Sequence, residues 1–308
     1  NRCRLKKPAE DRLRRDFAHL PLFHHSKFKN RDGPGLSNCH RLTTVLPANP
    51  HHEEKTIFVF IAGFSASPHL QPTEAQAITT NNYHQLHHLL CQSSGYPSIE
   101  QKDAAYKKTW GQDAKLTITD LNITSPLDWP WRILSMLHCI KKDNDDTKTS
   151  NWSKQAIASI NANAASKAYF RSATVPFNTA GSLFSSIDVT NILTYYSECL
   201  TQHHAALSNQ THPLYSRINT IQRLYKQLNL LCTLGPDLDH LIPVVILQLH
   251  EASEDLIHLH CKSSKDRAHF ALTLYFAVEY INHAHETTTN IITEIATEFT
   301  KLKRGQDN

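Results

Sequence analysis

A cysteine and an arginine near the carboxyl end of this 308-residue chain are separated by five residues, in the segment His260-Cys261-Lys262-Ser263-Ser264-Lys265-Asp266-Arg267. This spacing is what hydrolysis of a phosphate ester through a cysteinyl-phosphate requires. The backbone N–H groups of such a loop can surround three phosphoryl oxygens, and the arginine can clamp the same dianion with paired hydrogen bonds. A positive field and a helix amino terminus make a thiol nucleophilic at neutral pH. The pattern therefore predicts that Cys261 is a nucleophile and Arg267 its phosphate clamp.

The segments on either side of this loop must place it. Leu256-Ile257-His258-Leu259 alternates as a short buried strand does, and apolar residues downstream recur at helical spacing from about Asp266 to about His283. The predicted order is strand, phosphate loop and helix. The alternative is a buried structural cysteine beside a solvated cluster of charges.

The loop resembles the C-K-S-x-K-D-R loop of the inositol polyphosphate 4-phosphatases and of the phosphoinositide phosphatases that pathogenic bacteria inject into host cells. Six loop positions are fixed in that pattern, and all six match in residues 261–267. A weaker likeness, to the family's Phe-Asn segment, lies at Pro176-Phe177-Asn178-Thr179-Ala180-Gly181. The resemblance implies an α/β fold that is helix-rich, with a small, mainly parallel sheet surrounded by helices. It also implies a cysteine-dependent phosphatase that needs no metal, delivered by a specialised secretion system to host membranes.

Within this resemblance each loop residue has a role. Cys261 attacks phosphorus in line, and Arg267 holds the equatorial oxygens through the transition state. Asp266 protonates the leaving oxygen and then activates water, although capping the following helix is an alternative role that can coexist.

The two lysines of the loop distinguish among substrates. Lys262 and Lys265, together with Ser263 and Ser264, line the expected phosphate pocket. A phosphotyrosine pocket needs one dianion site with apolar walls, whereas an inositol ring that carries several phosphates needs extra point charges at the rim. The loop therefore favours a phosphoinositide headgroup. Our first hypothesis is a phosphatase that removes the phosphate at ring position 3 or 4. A protein tyrosine phosphatase is disfavoured.

One position departs from the family. The residue after the loop arginine is usually a threonine or serine that hydrogen-bonds the cysteine sulfur, and here it is Ala268. We expect Cys261 still to attack, with a slower second step unless His260 or His269 substitutes for the hydroxyl. The departure also leaves open a non-catalytic module that only binds phosphoinositides.

Histidine is abundant in this chain, and zinc binding needs to be weighed. His258, His260 and Cys261 are close enough in sequence to suggest a zinc site, and the chain has 21 histidines. Metal ligands must share a fixed face with supporting hydrogen bonds, whereas adjacent histidine pairs point apart. The sequence therefore predicts neither a metal nor a cofactor.

Length and composition favour one catalytic domain over residues 1–308, with 40% hydrophobic residues and few glycines. We divide it into a basic arm (1–50), an amino-terminal subdomain (51–141) and a helix-rich catalytic half (151–308). No apolar stretch approaches membrane length. Seven cysteines without C-x-x-C spacing indicate reduced thiols in a cytosol, and the resemblance implies that this is the cytosol of a host cell.

The positive charge is concentrated at the amino terminus. Residues 1–31 have ten Lys or Arg and three acids, so they carry +7 while the remainder carries −3, which together make the net +4. Such an arm can lie on an anionic membrane surface, or it can be a solvated helix tail. Nucleic acid is not an expected partner, because no reader motif is present, and the oligomeric state is left open.

Periodicity and capping residues predict the remaining elements. Strands are expected at about 56–62 and 116–123, and helices at about 73–91, 129–141, 152–168, 188–206, 214–234, 238–250 and 288–302.

Overall fold

The computed structural model describes residues 37–63, 70–93, 95–96, 98–124, 145–163, 169–176, 187–234, 236–261, 266–284 and 290–306. All structural statements below concern these residues.

Five strands form one sheet with the order β1-β2-β5-β3-β4. The strands pair in parallel except for β1, which is antiparallel to β2. Their bounds are β1 (Ser37–Leu46), β2 (Lys55–Gly63), β3 (Thr117–Thr124), β4 (Tyr169–Pro176) and β5 (Leu256–His260).

Helices make up most of the rest of the described chain. They are α1 (Pro72–Ser93), α2 (Ile99–Trp110), α3 (Asp145–Ala162), α4 (Thr190–Gln202), α5 (His204–Leu207), α6 (Tyr215–Leu234), α7 (Ile242–Ser253), α8 (Asp266–Ala284) and α9 (Ile291–Gln306), with a 3₁₀ turn at Pro236–Leu241 before α7.

The central strand β5 positions the predicted catalytic loop. It lies between β2 and β3, so the carboxyl ends of four parallel strands meet at one edge of the sheet. Parallel sheets bind ligands at that edge. Cys261 follows β5 directly and therefore stands at the middle of it.

The core covers both faces of the sheet. Seven consecutive residues of β3, from Thr117 to Ile123, are buried, and alternate residues of a strand face opposite sides. Helix α1 packs against α3, and α7 packs against both α6 and α8. Thus β3 and β5 are shielded from water, and a polar side chain on either strand must find its partners inside the protein.

The predicted α/β fold is confirmed: the sheet is small and mainly parallel, and helices surround it. The strand predicted before the loop and the helix predicted after it are present at Leu256–His260 and Asp266–Ala284, and β2, β3, α1 and α6 also lie close to their predicted ranges. The helix expected at 129–141 and the Phe-Asn segment at 177–181 lie outside the described residues.

Several elements differ from their prediction. Strands β1 and β4 and helix α2 were not predicted. Helix α3 begins at Asp145, seven residues before the expected start near residue 152, and α9 begins at Ile291 rather than near residue 288. A run of polar residues can form the first turn of a helix, because these side chains can face solvent there. The division into arm, subdomain and catalytic half remains a prediction.

Two further observations bear on the setting of the protein. None of the helices in the described part of the chain is long and apolar enough to cross a membrane. The four cysteines whose surroundings the structure describes, Cys91, Cys199, Cys232 and Cys261, form no disulfide there.

Candidate active site

Cys261 is placed by the strand before it and the helix after it. The residue is 1% exposed and follows the last residue of β5, and α8 begins five positions later at Asp266. The amino terminus of a helix carries a partial positive charge and favours anions. The loop residues Lys262, Ser263, Ser264 and Lys265 and the side chain of Asp266 lie outside the described residues.

Arg267 points toward the sheet rather than away from it. Its Nη1 donates a hydrogen bond of 3.0 Å to the carbonyl oxygen of Ile123. In the β3–β5 register Asn122 pairs with His260, so Ile123 lies one step further along, level with Cys261. The guanidinium is therefore anchored at the strand edge where the thiol stands.

A polar patch lies on one face of the sheet just before Cys261. The parallel register pairs Asp120 with His258 and Asn122 with His260. Because side chains alternate along a strand, these four point to the same face. All four are buried, with exposures of 8% or less.

Asp120 is the centre of this patch. Its Oδ2 accepts a hydrogen bond of 2.7 Å from the hydroxyl of Tyr83 in α1. Its Oδ1 lies 2.8 Å from Nδ1 of His258 and 3.1 Å from Nε2 of His260. Burial by itself would raise the pKa of Asp120, but the two histidines outweigh it and hold the pKa well below its usual value. The carboxyl group is therefore ionised.

His258 has a second contact on the other side of its ring. Its Nε2 lies 3.2 Å from the carbonyl oxygen of Ala62, near the end of β2. The rings of His258 and His260 stack with centroids 4.7 Å apart and an interplanar angle of 4°. Complete burial lowers the pKa of His258 despite its contact with Asp120. The patch thus connects three neighbouring strands, β2, β5 and β3.

Asp120 and Tyr83 did not emerge from sequence reasoning. The only signal was a charged residue in the middle of a predicted buried strand, because a buried carboxylate requires partners.

Asp120, His258 and His260 could also hold a metal ion. One ligand atom from each of these residues lies within 4.8 Å of the others, a spacing at which a metal ion can be bound.

A second polar cluster lies at the opposite end of the sheet. A cavity of about 790 Å³ opens beside the first residues of β3 and β4 and is lined in part by Tyr106, Arg171 and Tyr195. The guanidinium of Arg171, 4% exposed, stacks on the ring of Tyr195. Burial raises the pKa of nearby Asp255. This cavity lies at the amino ends of the parallel strands, away from Cys261.

The fold and this arrangement define a class: helix-rich α/β proteins with a mainly parallel sheet and a cysteine at the end of the central strand. A solved structure that is similar in fold is a phosphoinositide phosphatase of Legionella, studied for lipid metabolism in the interaction of pathogen and host. The two align with a TM-score of 0.51 and 11% sequence identity, over 83% of this chain and 29% of that one. At this identity the likeness establishes the fold. The aligned part is less than a third of that protein's length. No protein-family model and no curated protein matches the sequence.

Proposed function

We propose that this protein is a cysteine-dependent phosphatase that removes one ring phosphate, at position 3 or 4, from a phosphoinositide. The observation that carries the proposal is the placement of Arg267. Its guanidinium is bonded to the β3 carbonyl level with Cys261, at the edge where the amino terminus of α8 begins. Thiol, guanidinium and helix terminus are the three parts that a phosphoryl dianion needs.

The reaction has two steps. The Cys261 thiolate attacks phosphorus while the bond to the ring oxygen breaks, and Asp266 gives that oxygen its proton. Water, deprotonated by Asp266, then attacks the thiophosphate, which releases inorganic phosphate and restores the thiolate. Arg267 and the loop N–H groups stabilise the charge on the equatorial oxygens in both steps.

The substrate class rests on the loop sequence. Lys262 and Lys265 supply cations beside a single dianion site, which suits an inositol ring with several phosphates. The fold neighbour is a phosphoinositide phosphatase, which supports the same substrate class here. We place the protein in the cytosol of a host cell, at the membrane surface, by its resemblance to injected bacterial phosphatases.

A second function has one observation in its favour. Ala268 is fully buried in the first turn of α8, where relatives have a hydroxyl residue. Without that hydroxyl the thiolate loses a donor, and a loop that binds headgroups without turnover would result. Binding and release therefore have to be measured separately.

Phosphate release from a panel of short-chain phosphoinositides tests the proposal. Soluble inositol phosphates and a phosphotyrosine peptide complete the panel and identify the substrate class. We expect release from phosphoinositides, no release by Cys261→Ser, and a loss of roughly 10²–10³-fold in kcat for Arg267→Lys.

A matched control is available for the cysteine. Cys91→Ser changes a thiol that is equally buried, at 1% exposure, but lies within α1. It should keep full activity. Headgroup binding by the unaltered protein without any release would establish the binding module instead, and release from the phosphotyrosine peptide alone would overturn the substrate class.

A further inference from the structure

We propose that Asp120, His258 and His260 bind a divalent transition-metal ion, Zn²⁺ by the chemistry of its ligands, between β3 and β5. The site is separate from the phosphate chemistry. It would join β3 and β5 immediately before Cys261.

The first reason is a conflict between hydrogen-bond acceptors. A carbonyl oxygen can only accept, so the contact of His258 Nε2 with the oxygen of Ala62 at 3.2 Å requires the ring proton on Nε2. In a neutral imidazole the other nitrogen, Nδ1, then presents a lone pair. It faces Oδ1 of Asp120 at 2.8 Å, and a carboxylate is also an acceptor. A positive ion must lie between these two atoms.

The ion could be a proton or a metal, and the surroundings favour a metal. A proton on Nδ1 serves only two atoms, whereas His260 Nε2 lies 3.1 Å from the same carboxylate oxygen. A metal ion satisfies all three atoms at once.

The spacing of the three atoms fits after a small movement. Zinc binds imidazole nitrogen at about 2.0–2.1 Å and carboxylate oxygen at about 2.0–2.2 Å, so tetrahedral ligand atoms stand roughly 3.3 Å apart. The carboxylate oxygen is 2.8 Å and 3.1 Å from its two nitrogens. An outward shift of the carboxylate oxygen by about half an ångström or less, together with a rotation of the two stacked imidazole rings so that both nitrogens point at one position, would admit the ion.

The outer contacts are those that metal ligands normally have. A ligating histidine usually donates its second N–H to a carbonyl or a carboxylate, and ligating carboxylates are themselves hydrogen-bonded. His258 has the Ala62 carbonyl, and Asp120 has the hydroxyl of Tyr83 on the oxygen that faces away from the histidines. Both partners fix the orientation of their ligand. Because the ligands are sealed inside the fold, the ion would enter as the chain folds.

Metal content of the full chain, prepared without an affinity tag, tests the site. The protein is unfolded in the presence of a chelator and refolded either with equimolar Zn²⁺ or without it. Each sample is then passed over a chelating resin, which removes metal ions bound to histidines on the surface. We expect one retained Zn²⁺ per chain and a higher unfolding temperature in the zinc sample. X-ray absorption at the zinc edge should show nitrogen and oxygen ligands without sulfur.

Variants assign the ion to these residues. Asp120→Asn and His258→Gln should each lose the retained ion. His250→Leu is the matched control, because His250 is also buried, at 2% exposure, but lies in α7 outside the cluster. It should keep the ion.

The unaltered protein decides the question even if a variant fails to fold. Equal unfolding temperatures with and without zinc, no retained ion, or sulfur in the coordination shell would each overturn the site. So would ¹⁵N NMR that shows both nitrogens of His258 protonated. None of these measurements uses a phosphate substrate, so failure of the phosphatase proposal and failure of the metal site are distinguishable.

Discussion

Two thiols of this protein are equally hidden from solvent but have different surroundings. Cys91 lies within a helix, and burial raises its pKa to about 12, so it is a structural residue. Cys261 stands at the end of a central strand, beside a guanidinium anchor and ahead of a helix amino terminus. Both thiols belong to the buried core, so only their positions in the fold distinguish Cys261 as the candidate nucleophile.

Replacement of Ala268 by serine tests the departure from the family. A hydroxyl at this position could donate to the thiolate of Cys261, so we expect faster breakdown of the phosphoenzyme and a higher kcat. Serine is preferable to threonine because Ala268 is fully buried and added volume costs stability. Single-turnover kinetics with a phosphoinositide separates attack from breakdown. A breakdown rate that does not rise would mean that the missing hydroxyl is already compensated.

His250 should make the protein sensitive to acid. Burial lowers the pKa of this histidine from 6.5 to about 3, and neither ring nitrogen has a hydrogen-bond partner in the described structure. Between these values the unfolded chain binds a proton that the folded chain does not. Its stabilising contribution is complete above about pH 6.5 and is lost toward pH 3, by up to about 1.4 kcal/mol per pH unit.

The variant His250→Leu should flatten this dependence. Urea unfolding at about pH 7 and about pH 5 gives the free energy of unfolding at each pH. The loss on acidification should be smaller in the variant than in the unaltered protein. His84→Leu, which changes an exposed histidine, should leave the loss unchanged. Identical losses in all three proteins would contradict the assignment.

At the scale of elements, the sequence was most informative where one periodicity dominated. The strand at 256–260 and the helix after it could be predicted because alternation gave way to helical spacing across a recognisable loop. Helix α2 was missed although Ile99, Tyr106 and Trp110 recur at helical intervals on its buried face. Strand β1 was missed because its polar residues, Asn38, His40 and Arg41, hide the alternation of an edge strand.

The polar patch could not be predicted, for a different reason. Its members lie on β3, β5 and α1, far apart in the sequence, and only the β3–β5 register places Asp120 beside His258. Register between parallel strands depends on the packing of the whole sheet, which local periodicity does not encode. The same register sets Ile123 level with Cys261, so the anchor of Arg267 was also hidden.

Truncation in the most buried strand should be costly. Leu121 lies in β3 and has 0% exposure, so Leu121→Ala should lower the free energy of unfolding by about 2–5 kcal/mol. Val45 lies in the edge strand β1 with 53% exposure, and Val45→Ala should cost about 1 kcal/mol or less. Denaturant unfolding measures both. Equal losses would mean that β1 and β3 contribute alike to the core.

At the scale of the whole molecule, charge is unevenly distributed. Residues 1–31, the most basic part of the arm, carry +7, so their removal would change the formal net charge from +4 to −3. They lie outside the described residues, and their role on membranes remains a prediction. The rest of the chain, being slightly acidic, has no general attraction to an anionic surface.

Deletion of residues 1–31 should weaken binding to vesicles that contain phosphatidylserine. Each basic residue near such a surface contributes on the order of 1 kcal/mol, so we expect a loss of at least about tenfold that shrinks as salt rises. Vesicle sedimentation measures it, with neutral vesicles as the reference. Leu13→Ser combined with Phe17→Ser keeps the charge and separates electrostatic from apolar attachment. Unchanged binding after deletion would favour a solvated tail.

The position of β5 has a consequence for how the protein is made. Strands β2 and β3 are never neighbours, because β5 lies between them and comes last in the chain of all five strands. While the ribosome is still translating, the β1–β2 pair and the β3–β4 pair each present an unmatched strand edge to the cell. Such edges invite pairing with other chains. We therefore expect the sheet to close only after its middle strand has been synthesised.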